Sequence, residues 1–246
     1  MSPEDLRIWL SHFEYHAQHQ WGMPPGVADR LRPEERELIA GSIATFQLGE
    51  RSGGATLLRA AERFARAHQT PSLVRIVELF ICEEQRHAAL LGEFMADHRI
   101  PLKSRDWTDR VFRRVRRLAG LELYLYVLIS AELLGNLYYR ALETATGCLR
   151  LKLLCRSLVG DELAHVGFES QLLLSLRASR PVAARWLMRG AHRAFFAATA
   201  GVVWMMHRAV LRRAGYSARS FLRVALFQYA FYLEPANLPL PSASVS

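Results

Sequence analysis

Apolar residues recur along most of the chain at three- and four-residue spacing, with little of the strict alternation a strand would show. This pattern predicts a nearly all-helical protein. Residues 3 to 20 read as a short amphipathic helix, followed by the loop "GMPPGVADRLRP". Pro33, with Glu34 and Glu35 behind it, suits a helix start, because proline fits the first turn and acidic side chains favour the positive end of the helix dipole. That helix is expected to run unbroken to about His68. "TPS" at 70–72 opens a second long helix ending near His98, and "IPLKSRD" begins a crossover in which Asp106 caps a short basic helix. A third long helix is expected at about 119–146, stopping near Gly147, and a fourth at 149–178. A fifth is expected from Pro181 to Gly215 and a sixth over 217–233. The tail "EPANLPLPSASVS" is polar and proline-broken and is expected to be loosely held.

Such helices far exceed the typical globular length of about 11–12 residues, and long antiparallel bundles are the natural explanation. The longest connection lies between the second and third long helices, which suits a bundle with one long crossover. We expect a single domain over 1–233, with a core bundle at about 34–178 and extra helices at about 181–233.

Each of the four central helices carries an acidic residue in apolar or small surroundings. The first has Glu50 in "FQLGERSGG", the second Glu84 and His87 in "CEEQRHAAL", the third Glu132 in "LISAELLGN", and the fourth Glu162 and His165 in "GDELAHVGF". The order is therefore Glu, Glu-x-x-His, Glu, Glu-x-x-His. Residues three apart on a helix share a face, so each Glu-x-x-His pair can bind one ion. The gaps between glutamates are 34 (84 minus 50), 48 (132 minus 84) and 30 (162 minus 132). A gap of 30 to 34 is one long helix plus a turn, which returns the partner glutamate to the same level of an antiparallel hairpin; the gap of 48 spans the crossover. Four carboxylates and two imidazoles would then meet at mid-bundle. Burying that many carboxylates without counter-charge is prohibitive, whereas two divalent cations neutralise them.

On these motifs, over about residues 34–178, the chain resembles the ferritin-like di-iron carboxylate superfamily, on its oxygenase and oxidase side. The resemblance implies an all-α, ferritin-like four-helix bundle with one long crossover plus additional N- and C-terminal helices. It also implies that Glu50, Glu84 and His87 serve one metal and Glu132, Glu162 and His165 the other, with Glu84 and Glu162 bridging. The metals would be two iron ions, with manganese or a mixed pair as alternatives, and dioxygen would be the co-substrate. The expected activity is oxidation of an organic substrate, hydrophobic or carried by an acidic protein, with electrons from a ferredoxin or a reductase. Ferroxidation, iron storage or peroxide scavenging is the alternative, and a membrane-surface quinone or lipid hydroxylase is a third. The amino-oxygenase branch adds a histidine four residues before the last Glu-x-x-His; Leu158 stands there in this chain, which disfavours that branch.

Neighbouring residues extend the picture. Glu83 lacks the three-residue relation to His87 and is expected to sit beside the ligands or in solvent. Asp161 could orient a ligand histidine across the bundle. Glu169, four after His165 on the same face, is a candidate extra ligand or proton relay. Tyr139 is a core tyrosine or a hydrogen-bond partner of the site. Gly49, Gly53, Gly54 and Gly135 either leave room for a substrate or allow close helix packing. His12, His16 and His19 share a rough face and are expected to be exposed, and His192 and His207 lack matching ligands.

Composition changes less. Hydrophobic residues make up 51%, yet no uninterrupted apolar run approaches the ~18 residues of a membrane span; "AFFAATAGVVWMM" (194–206) reads as a core helix. The first residues lack the basic-then-apolar order of a signal peptide, so the cytoplasm is expected, with peripheral membrane association as the alternative. Cys82, Cys148 and Cys155 form neither a zinc pattern nor a disulfide framework and are expected to be reduced core thiols. The net charge is +9, almost all from arginine, with lysine only at 103 and 152. Such a balance fits an acidic partner, anionic lipid, nucleic acid or a biased genome composition. The densest cluster, Arg113, Arg114, Arg116 and Arg117, is a candidate docking surface, and a homodimer is compatible with the pattern.

Overall fold

Helix starts coincide with the proline and capping signals of the sequence. In the computed structural model, which describes residues 1–22, 29–51, 54–104 and 120–233, Ser2 caps α1 (Pro3–Gln18). Its hydroxyl accepts from the Asp5 N–H at 3.1 Å while the Asp5 carboxylate accepts from the Ser2 N–H at 2.8 Å, a reciprocal capping box. Pro33 opens α2 (Pro33–Glu50) and Pro71 opens α4 (Pro71–Asp97), with α3 (Ala55–His68) between them. Four further helices follow: α5 (Leu121–Ala145), α6 (Leu149–Ala178), α7 (Val182–Arg213) and α8 (Ala218–Leu233). The chain is all-helical, with no strand among the described residues.

The expected unbroken helix from Pro33 to His68 is instead two helices, and the break follows Glu50 directly. Gly54 explains it. Its φ of +59° belongs to the left-handed region, and a Cβ there would lie 2.5 Å from the Ile81 side chain of α4. The chain thus turns at a point where only glycine fits under Ile81. Asp106, Arg113, Arg114, Arg116, Arg117, Gly53 and the tail at 234–246 lie outside the described residues.

The helices pack as a bundle. α4 lies against α1, α2, α3 and α6; α5 packs along α6; α7 covers α5 and α2, and α8 folds back onto α7. Two apolar clusters divide the interior. One gathers Phe13, Ile76, Phe80, Leu125, Ile129, Phe168 and Leu172, and the other Ile39, Ile43, Phe94, Tyr138, Leu142, Leu154 and Leu158. Along α4 and α6 the residues between the two clusters are Glu83 to His87 and Asp161 to His165, so a charged layer sits at mid-bundle. A second tie joins the far ends of the core. Glu35 Oε1 accepts from the Gly147 N–H at 2.7 Å and from Arg32 Nη2 at 2.9 Å, pinning the start of α2 to the α5–α6 turn.

α7 departs from the expected core helix. It is long and apolar enough to cross a membrane by length and composition, and only 33% of its most apolar stretch is buried. Cys82 likewise is exposed, whereas Cys148 and Cys155 are buried. On α4, Cys82 falls one position before the inward Glu83 and Glu84, on the outer face of the helix.

Candidate metal centre

α4 and α6 present their Glu-x-x-His pairs toward each other, and α2 and α5 close the ring with Glu50 and Glu132. Ligand atoms of Glu50, Glu84, His87 and Glu162 all lie within 4.8 Å of one another, as do those of Glu84, Glu132, Glu162 and His165. The two sets share Glu84 and Glu162. All six residues foreseen from the sequence are thereby brought together, and every one of them is buried.

Five of the donor atoms inside this ring lack a hydrogen-bond partner. Glu84 Oε1, His87 Nδ1, both carboxylate oxygens of Glu162 and His165 Nδ1 are buried without a hydrogen bond. The Nδ1 atoms lie close to carboxylates, His165 at 3.1 Å from Glu84 Oε1 and His87 at 3.5 Å from Glu162 Oε1, outside hydrogen-bond geometry. A buried polar atom left so is costly, and five of them aimed at one small volume fit a bound cation. Clusters of buried Glu and His residues that could hold metal ions are therefore part of the fold.

The outward nitrogens of the two histidines are held crosswise. His87 on α4 has Nε2 3.0 Å from Asp161 Oδ2 on α6, and His165 on α6 has Nε2 3.0 Å from Glu83 Oε2 on α4. Each bond fixes its imidazole with Nδ1 turned inward. Asp161 thus makes the cross-bundle histidine contact foreseen for it, and Glu83 makes the counterpart contact rather than standing in solvent. The shared pattern acidic-Glu-x-x-His, in "EEQRH" and "DELAH", was the available signal.

His16 and His12 are half-buried, contrary to expectation; only His19 is exposed. His16 Nδ1 lies 3.4 Å from Glu83 Oε1 and 3.7 Å from Asp161 Oδ1, and Arg86 Nη2 bonds Asp161 Oδ2 at 2.5 Å. Hydrogen bonds to these carboxylates push His16 up to about 9, so two cations brace the outer carboxylates. With Arg86 present, the His16, Glu83 and Asp161 trio is an ionic clasp and a poor cation site. His16 continues the buried stripe Leu6, Trp9, Phe13 on α1, which was its sequence signal.

Electrostatics inside the ring follow from burial. Burial, then repulsion from Glu84 and Glu162, pushes the Glu50 carboxyl well above the usual range, and the same causes raise Glu132. Burial opposes the charged form of His87, but Asp161, Glu162 and Glu84 outweigh it and raise this histidine; Glu83 and Glu84 do the same for His165. Tyr139 donates a hydrogen bond to Glu50 Oε1, so it is both a core residue and a partner of the site. Glu169 is 1% exposed with neither carboxylate oxygen bonded, and burial raises it too; it falls outside the two four-residue sets.

A cavity of about 150 Å³ opens onto Glu50, Glu84, Glu132 and Glu162, between α2, α5 and α7. Its remaining wall is mainly apolar, including Phe46, Leu128, Val203 and Met206. Gly49 and Gly135 line it. A Cβ at Gly49 would meet nothing within 4 Å, and at Gly135 the nearest atom is 3.9 Å away, so these glycines leave space and do not mark close helix packing. His207, which sequence reasoning set aside, lies in the same wall and its Nδ1 is 2.8 Å from Ser42 Oγ. His192 is held by the Tyr126 carbonyl and Arg177, away from the centre.

No protein-family model, curated protein or solved structure matches the chain.

Proposed function

We propose that this protein is a ferritin-like, non-haem di-iron oxygenase or oxidase, a manganese or mixed centre being the variant, that uses dioxygen to oxidise an apolar organic substrate. The observation that carries this reading is the pair of donor sets sharing Glu84 and Glu162, with orphaned donor atoms inside and an apolar cavity beside them. Glu84 and Glu162 would bridge the ions, Glu50 and His87 would complete one site, and Glu132 and His165 the other. Bound in this way, the ions would supply the redox chemistry and the position for dioxygen.

The chain's own residues do the rest. Asp161 and Glu83 keep His87 and His165 in the tautomer that offers Nδ1 to a metal. Phe13, whose ring stacks on His165 with centroids 6.0 Å apart, and Phe80, at 4.5 Å, shield the imidazole from water. Tyr139 holds Glu50 at the edge of the cavity, so the substrate meets the centre on its carboxylate side while the histidines face α1. Each oxidation cycle needs two electrons from an external donor.

The test is metal analysis with oxygen uptake. Protein purified without chelators should hold about two iron or manganese ions per chain, and a Glu84→Ala/Glu162→Ala double variant should lose them. Unchanged metal content in that variant would sink the site assignment. With reduced iron loaded, apolar compounds that fit the cavity should accelerate oxygen consumption; indifference to all of them would favour iron handling instead.

A further inference from the structure

We propose that the outer face of α7 and α8 docks on an anionic membrane surface, from which the apolar substrate reaches the cavity. The substrate half rests on the function proposed above; the docking half stands on the surface alone.

Exposed residues of α7 fall on one face at three- and four-residue steps: Leu187, Ala191, Ala194, Ala198, Gly201 and Met205. Beside this stripe Trp186 is 69% exposed, and Leu187 itself is 75% exposed. Phe227 and Phe231 of α8, which folds back on α7, are exposed as well. An apolar surface of this length is unusual on a protein meant to face water alone.

Charge selects the occupant. Between Glu169 and Glu234 the chain has no acidic residue, and residues 182–233 carry eight arginines. Arg208, Arg212 and Arg213 are exposed at the end of α7, and Arg219 and Arg223 on α8. Between Leu187 and Met205 the stripe presents only alanine and glycine, with no neutral side chain able to hydrogen-bond a partner. A protein partner would typically supply about one hydrogen bond per 100–200 Å² of interface. Apolar and aromatic side chains flanked by arginine are instead the composition of a helix lying in the headgroup layer of an anionic bilayer. Arginine stems can lie along apolar surface while the guanidinium reaches phosphate; Arg189 already sits over Trp186, 5.7 Å from the ring centroid.

The cavity adds an independent reason. Thr199, Val202, Val203 and Met206 form its α7 wall, and Ala198, Gly201 and Met205 are the outward neighbours of those residues. Gly49 and Ala131, both exposed, also line the cavity, so its mouth opens between α2, α5 and α7 beside the apolar stripe. A lipid-soluble molecule would reach the carboxylate ring by passing one helix.

Flotation of the full chain with vesicles decides the matter. We expect capture by mixed phosphatidylcholine and phosphatidylglycerol vesicles, little capture by phosphatidylcholine alone, and weakening with added salt. A Trp186→Ser/Leu187→Ser/Phe227→Ser variant, altered only at exposed positions, should bind anionic vesicles about tenfold less or weaker still. Arg208→Glu/Arg212→Glu should abolish the preference for anionic lipid. No capture by anionic vesicles, or undiminished capture of the serine variant, would overturn the proposal. So would a dimer by light scattering that the serine variant dissolves and that ignores vesicles, since the face would then belong to a second copy. Metal content of the same preparations reports on the proposed function separately: a two-metal protein that ignores vesicles refutes only the docking.

Discussion

At the scale of single residues, the centre depends on side chains that never face its interior. Asp161 and Glu83 each accept from, and so orient, the histidine of the opposite helix. Removing such a partner leaves the ligands in place but frees the ring to rotate, which typically costs about 10- to 100-fold in metal affinity. Asp161→Asn and Glu83→Gln should each show a loss of that size in a chelator competition, with helix content unchanged by circular dichroism. Affinity unchanged from that of the unaltered protein in both variants would show the crosswise bonds to be incidental. The six inward residues were legible because a helix places positions three apart on one face and a hairpin returns them to one level. Asp161 was legible for the same reason. Glu83 was ambiguous, because on α4 alone it competes with Glu84, and only the position of α6 assigns it. His16 was missed because α1 carries no member of the ligand pattern; its place is set by packing against α4.

At the scale of elements, helices could be read from start signals, but not the interruption after Glu50. The apolar period of α2 resumes in α3, so a break of one turn leaves little trace beyond the glycine pair in "RSGG". Glycines in this chain divide by cause. Gly54 holds a left-handed conformation under Ile81, so Gly54→Ala should destabilise by about 2–4 kcal/mol, combining backbone strain with overpacking. Gly135 sits inside α5 with room for a methyl group, and Gly135→Ala should be neutral or stabilise by up to about 1 kcal/mol. Urea titrations of both variants measure the contrast; equal effects would mean that the turn at Gly54 is not constrained. The surface of α7 was misread for a general reason: apolar content and length do not tell a buried helix from one whose apolar face is left outside.

For the whole molecule, the buried cluster links protonation to the fold. Burial and like charge raise Glu50, Glu132 and Glu169 above 4.5, and carboxylate neighbours raise His87 and His165 above 6.5. In the metal-free protein both kinds of group favour the protonated state on folding. The carboxyl contributions are lost as pH climbs from 4.5 toward the raised values, and the histidine contributions are full below 6.5 and fade above it. Glu83, Glu84 and Asp161 are lowered, and their effect is confined to acid. The metal-free protein should therefore lose Tm as pH rises above 6.5. A metal bound as proposed would replace those protons, so loading should raise Tm, and by more at pH 8 than at pH 6. At a hundredfold excess over Kd the gain is about 2.7 kcal/mol, or roughly 5–10 °C for a chain of this size. Scanning calorimetry of loaded and stripped protein at both values tests the sign; a smaller increment at the higher pH would contradict it.

The crosswise bonds also bear on assembly. Because each imidazole is set by a carboxylate from the opposite helix, neither α4 nor α6 can finish its own half of the centre in isolation. A slip of one helical turn between them would disorganise both halves together. Metal capture in this protein would thus work as proofreading, accepting only chains in which the two helices have met in register.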